Sequence, residues 1–200
     1  MPARDSVDPL RKAAARLGEA EVERNRLIRA LRSKNRTLTS LTDAADLSVE
    51  TVQNLTRPST IVSAGYEGRT AEELFAALVE AGVSTLVDVR ENPISRKSGL
   101  SKRALAARCE ANGMGYVHEP TLGNPRDNRD GFREQRSESL TAFEAHLRAN
   151  GGEALDRVAA MLRDRTVGLL CFEADACSCH RSIVAKHLLG RDPLASVHLV

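Results

Sequence analysis

TIVSAGYEGRTAEELFAALVEAGVSTLVDVR, residues 60–90, sets two short runs rich in Val, Ile and Leu on either side of an amphipathic stretch. The runs show little apolar–polar alternation, as strands covered by helices on both faces do, so they read as neighbours in a parallel sheet. The rhythm continues through SKRALAARCEANG (101–113) to GYVHEP (115–120), giving the βαβαβ order of an α/β fold with right-handed crossovers. Helices are predicted around 141–149 and 153–164. A final strand in TVGLLCF (166–172), a loop EADACS and a closing helix CHRSIVAKHLLG, stopped by Gly190, complete the pattern. The stretch LGNPRDNRDGFREQRSESL (122–140) has many charges, Pro and Gly but no apolar period, and reads as a long mobile loop beside the site.

In front of this pattern the chain is helical. Leu27, Ile28 and Leu31 recur at helical spacing within a predicted helix over 9–32. Shorter helices are predicted over 38–45 and 49–56, with a turn at 46–48 and Pro58 as the terminator. The expected organisation is therefore a helical arm, residues 1–58, before an α/β domain of mainly parallel sheet flanked by helices, residues 59–200. Two hundred residues, 42% hydrophobic, suffice for one full core and a small appendage. No run approaches the roughly 18–20 apolar residues of a membrane helix, and the start is charged where a signal peptide is apolar. The expectation is a cytoplasmic protein without a membrane partner. A net charge of +2 makes no case for nucleic acid by itself, but Arg24, Arg26, Arg29, Arg32, Lys34 and Arg36 form a basic cluster without an acid among them.

Leu41, Ala45, Leu47, Ser48, Thr51 and Val52 give residues 37–55 a resemblance to the helix-turn-helix of Lac-repressor-like DNA-binding proteins. Leu41, Ala45, Leu47, Val52 and Leu55 would pack the two helices, and Ser48 would cap the second. Asp46 stands where such turns usually have Gly, and Asp tolerates the left-handed conformation better than most residues. The resemblance implies a DNA partner, with Ser48, Glu50, Thr51, Gln53, Asn54 and Arg57 facing the duplex and a homodimer doubling the contacts. The other reading is a helical pair that packs on the main domain or on a second subunit.

Three motifs, Gly-Tyr-Glu-Gly at 65–68, DVRENPISRKSGLSK at 88–102 and CFEADACSCHRS at 171–182, make residues 60–189 resemble the domain-of-unknown-function DUF488 family. Each lies just after a predicted strand, at the carboxyl edge where open α/β sheets place their ligand crevice. Gly65 would allow close backbone approach, and Tyr66 would stack on a flat ligand or pack as an ordinary aromatic. Asp88 and Arg90 are expected either to act on substrate or to form a structural pair. Arg96, Lys97 and Lys102 surround a helix start capped by Ser101, an arrangement that suits an anion or a solvated basic loop.

The cysteine-rich segment admits three readings. Cys179, beside His180 and Arg181 at a helix start, would be a reactive thiolate. Cys171, Cys177, Cys179 and His180 would supply four metal ligands, though the C-x2-C spacing of structural zinc sites is missing. As architecture, Cys171 is a buried strand residue, and His180 and Arg181 pair with Asp88 and Glu173. No Cys-x5-Arg loop follows Cys171, which removes the phosphatase and sulfurtransferase classes.

Function then divides. In one reading the chain is a DNA-bound enzyme acting on a base or nucleotide, with Asp88, Glu67 or Glu173 as the working carboxylate and Cys179 and His180 beside it. Gly65, Tyr66, Arg90, Arg96, Ser101, Lys102 and Arg181 would bind the substrate, a nucleotide or another small anion, and neither a metal nor another cofactor is expected. In the other reading it is a transcriptional regulator whose α/β domain senses a ligand or an oxidant.

Overall fold

Helix α1 (Asp8–Ser33) opens with Asp8 and Pro9 in its first turn, where an acid suits the helix dipole and the missing proline N–H costs nothing. The computed structural model describes residues 7–163 and 165–200. Contacts divide the chain into two units, Met1–Arg57 and Pro58–Val200. In the first unit α1 is followed by α2 (Leu38–Ala45) and α3 (Val49–Leu55). Thr37 caps α2, and Ser48 caps α3 by accepting from the Thr51 N–H at 3.1 Å. Asp46 takes the left-handed conformation, φ 51°, that the turn requires. Ile28, Leu41 and Val52 form the small core, with Leu38, Ala45, Leu47 and Leu55 packed against it.

Arg29 departs from its expected place on a basic outer face. It is buried, and its Nη1 donates to the Leu55 and Arg57 carbonyls at 2.5 and 3.1 Å, so it fastens the end of α3 instead. Arg26 pairs with Glu23 at 2.7 Å, and Arg32 donates to the Arg36 carbonyl. The cluster is therefore partly spent within the arm.

In the second unit β1 (Ser59–Gly65), β2 (Thr85–Asp88), β3 (Gly115–His118), β4 (Val167–Cys171) and β5 (Ala195–Leu199) lie in the order β3-β2-β4-β1-β5, all pairings parallel. Both faces are covered. Val62, Ala64, Leu86 and Leu170 pack on α4 (Ala71–Glu80) and α5 (Lys102–Ala111) through Leu74, Phe75, Leu78 and Leu105. Ile61, Val87, Val167 and Leu169 pack on α7 (Ser137–Asn150), α8 (Gly152–Leu162) and α9 (Arg181–Arg191) through Phe143, Leu147, Val158 and Val184. A Thr70–Glu73 capping box starts α4.

Two expectations are corrected. The last strand is β5 rather than β4; it pairs with β1 at the sheet edge, and α9 runs through Gly190 to Arg191 before it. Residues 122–140 are not a loop throughout: the 3-10 turn Arg126–Asn128, helix α6 (Arg129–Arg133) and the start of α7 lie there. Phe132 anchors them, buried edge-on against Phe143 with ring centroids 5.7 Å apart. Among the described residues no helix is long and apolar enough to cross a membrane.

Phe132→Ala should destabilise the protein by about 3–5 kcal/mol in denaturant unfolding. A loss below about 1 kcal/mol would mean that this segment does not pack as described.

Candidate functional site

Strands β2 and β4 are neighbours, yet the helices that follow them, α5 and α9, cover opposite faces of the sheet. Such a reversal opens a crevice outside the strand ends. A cavity of about 210 Å³ lies there. Cys171, Glu173 and His180 line it together with Arg129, Phe132 and Arg133 from the corrected segment, and Arg90, Asn92 and Asn124 complete its polar wall.

Cys171 ends β4 and faces the α7–α9 side, as strand alternation dictates. The chain then turns over residues 173–178 and brings Cys179 and His180 back to it. Cys171 Sγ and Cys179 Sγ both lie on Glu173 Oε2, at 3.1 and 3.2 Å. The same sulfurs are 3.8 and 3.9 Å from His180 Nδ1. His180 Nε2 donates to the Val89 carbonyl at 3.0 Å, and Phe143 meets its ring edge-on at 5.3 Å. A carbonyl only accepts, so the imidazole proton is on Nε2 when the ring is neutral, and Nδ1 is left to face the sulfurs. Four donor atoms of Cys171, Glu173, Cys179 and His180 lie within 4.8 Å of one another.

The electrostatics of this group are mutual. The hydrogen bond with Cys179 pulls the Cys171 thiol well below its ordinary range, and His180 adds to this against the effect of burial. Burial, with Cys171 beside it, pushes Cys179 far up. Burial disfavours the charged His180, but the Cys171 charge outweighs it and the imidazole is raised. Glu173 is held down to about 2, because the thiol hydrogen bonds overcome its desolvation. Of the two thiols, Cys171 alone is pulled down and alone lines the cavity, whereas Cys179 is pushed up and does not line it. Two chemistries suit the set: a thiolate beside an imidazolium is a nucleophile, and two sulfurs, a nitrogen and a carboxylate oxygen can hold a divalent metal.

Asp88 and Arg90 take the structural alternative. Asp88 is fully buried; Oδ1 accepts from Arg90 N and Nε at 3.1 and 2.8 Å, and Oδ2 accepts from Arg90 Nη2 and the Tyr116 hydroxyl at 2.6 and 2.8 Å. Arg90 Nη1 donates to the Tyr66 hydroxyl and the Leu100 carbonyl. The Arg90 guanidinium also lies over the Tyr66 ring, and Phe172 meets that ring edge-on. Tyr66 is therefore a packed aromatic whose face is already taken. Burial and the Asp88 charge push the Tyr116 hydroxyl well up, which keeps it a donor.

The remaining sequence candidates scatter. Gly65 does what its residue type allows: a Cβ there would stand 2.0 Å from the Glu173 carbonyl oxygen. Glu67 accepts from the Ala174 N–H at 3.1 Å, fastening the residue 173–178 turn from outside the cavity. Ser101 occupies the N-cap position of α5 by its backbone angles alone. Lys102 Nζ donates to His118 Nδ1, Lys97 Nζ donates to the Tyr66 and Arg69 carbonyls, and Arg96 is exposed outside the cavity. No anion cradle forms from them among the described residues. Arg181 is fully buried; its Nη2 donates to the Glu173 carbonyl at 2.7 Å, and among the described residues Nε and Nη1 have no hydrogen-bond partner. It pairs with neither Asp88 nor the Glu173 carboxylate, and Cys177 is exposed in the turn.

Sequence reasoning missed Arg129, Phe132, Arg133 and Asn124. Arg129 bridges Asn124 O and Glu91, and Arg133 Nη2 reaches Glu173 Oε1 at 3.2 Å. The lone apolar Phe132 amid arginines was the available signal. In the other unit Ser48, Glu50, Thr51, Gln53, Asn54 and Arg57 are all exposed.

A family model described as domain of unknown function DUF488 matches residues 70–188, more than half of the chain. No curated protein and no solved structure matches it.

Asp88→Asn leaves the buried Arg90 charge uncompensated, so denaturant unfolding should show a loss of about 3–5 kcal/mol. Unchanged stability would contradict the structural role given to this pair.

Proposed function

The chain belongs to the DUF488 family, and we propose that it is a DNA-binding enzyme whose α/β domain performs hydrolytic chemistry on a nucleic-acid base or nucleotide. The observation that carries this reading is the cavity itself: Arg129 and Arg133 border the same space as Cys171, Glu173 and His180. Guanidinium forks suit phosphate oxygens, Phe132 and Phe172 offer apolar wall for a base, and the buried titratable groups can manage a proton or activate water. Asp88 is dropped from the catalytic set because it is fully buried and does not line the cavity. Glu173 takes its place as the working carboxylate.

The arm supports the DNA part of the proposal. Its α2–turn–α3 arrangement, with the Ser48 cap and the left-handed Asp46, suits a helix-turn-helix in which α3 enters the major groove. Gln53 and Asn54 would read adenine edges and Arg57 a phosphate, all from exposed positions.

The test is titration of the full chain with fluorescent duplexes, intact or carrying abasic and damaged bases, over a salt series, with chromatography of released products. Gln53→Ala combined with Asn54→Ala should weaken binding about tenfold or more, and Arg57→Ala should lower the salt slope by about one. Glu173→Gln should abolish product release while duplex binding is retained. Selective binding of one intact sequence, without lesion preference or product, would favour a regulator instead; absence of salt-sensitive binding would remove DNA from the account.

A further inference from the structure

We propose that Cys171, Cys179, His180 and Glu173 constitute a zinc site that opens on the cavity. A tetrahedral zinc with Zn–S near about 2.3 Å and Zn–N near about 2.0 Å holds its ligand atoms about 3.3–3.8 Å apart. The sulfur–oxygen separations are 3.1 and 3.2 Å and the sulfur–nitrogen separations 3.8 and 3.9 Å. These are four of the six edges of such a tetrahedron, the sulfur–oxygen pair somewhat short and the sulfur–nitrogen pair at or just beyond the long end, and all four ligand atoms lie within 4.8 Å of one another.

The surroundings fit the same ion. Metal-bound imidazoles donate their second N–H to a carbonyl or carboxylate, which orients the ring. His180 Nε2 does so to Val89 O, and Nδ1 faces the sulfurs. Glu173 presents Oε2 to both thiols while Arg133 holds Oε1, so the carboxylate is turned for one-oxygen coordination. Charge gives a separate argument. Two thiolates and one carboxylate carry three negative charges, zinc leaves one, and the fully buried Arg181, with Nε and Nη1 unpartnered among the described residues, offsets it. Zinc displaces the thiol protons to solvent, and no oxidation state changes.

Cys177, one of the four ligands offered by the sequence, is excluded, since it is exposed and lies outside the cluster. Glu173 is the hardest ligand and its side chain is 14% exposed, so it is the ligand that water or substrate replaces from the cavity. That last role rests on the hydrolytic reading above; zinc binding itself does not.

The experiment uses the full chain, purified under reducing conditions, with metal content measured after dialysis and the metal-free protein titrated with Co²⁺. One equivalent of zinc per chain is expected, and the cobalt form should show thiolate-to-cobalt charge transfer with the intense visible bands of tetrahedral coordination. Loss of a supporting hydrogen bond commonly weakens a site about 10–100-fold, so Cys179→Ser should cost at least about 100-fold in affinity. Cys177→Ser should cost nothing. Should Cys179→Ser fail to fold, the unmodified chain's cobalt spectrum decides. Folded protein with titratable thiols that takes up no Co²⁺, or gives bands without thiolate charge transfer, overturns the proposal. Duplex binding measured on the same samples separates the two readings: zinc with no DNA binding sinks only the DNA claim, and DNA binding without metal sinks only this one.

Discussion

A charge removed from water has to be answered by another, and the carboxyl edge of this sheet buries several. Asp88, Arg90, His180 and Arg181 are all buried there, with Glu173 mostly so. They resolve into two networks. In the first, Asp88, Arg90, Tyr66 and Tyr116 satisfy one another, with the Leu100 carbonyl taking a further bond. That network is closed, and it ties the ends of β1 and β2 to Tyr116 of β3. In the second, three acids meet one imidazole, and a buried guanidinium beside them has two nitrogens unpartnered among the described residues. Architecture accounts for the first. The second has the incomplete balance expected of a place that takes up something more.

The insertion of β4 between β1 and β2 is what sets these networks side by side. It places Cys171 across from Gly65, where the missing side chain lets the Glu173 carbonyl approach, and it sends α9 to the face opposite α5. Phe132 and Phe143 then pass the packing on to His180. A change at Phe132 therefore acts on the imbalanced network through aromatic contact, although Phe132 carries no charge itself.

Much of this was legible in residues 60–90, because doubly covered strands show as continuous apolar runs and their ends mark the crevice. The cap at Ser48 was a local matter of residue type, and so visible. What escaped depended on contacts distant in the chain. β5 is an exposed edge strand with little apolar signal, while Phe132 is one apolar residue whose burial requires Phe143. The donor set at 171, 173, 179 and 180 follows no metal-binding spacing, because the residue 173–178 turn, not the sequence interval, sets the distances. Cys171 and Cys177 look alike as letters; strand alternation turns one inward, and the turn leaves the other in solvent. Arg29 read as part of a basic face until the Leu55 and Arg57 carbonyls claimed it.

The cavity-side network, with its unanswered charges, is proposed to be completed by a metal. The decisive measurement is zinc-edge X-ray absorption of the zinc-loaded full chain. Two sulfurs at about 2.3 Å and two nitrogen or oxygen neighbours at about 2.0–2.2 Å are expected. A first shell of nitrogen and oxygen alone would contradict the proposal.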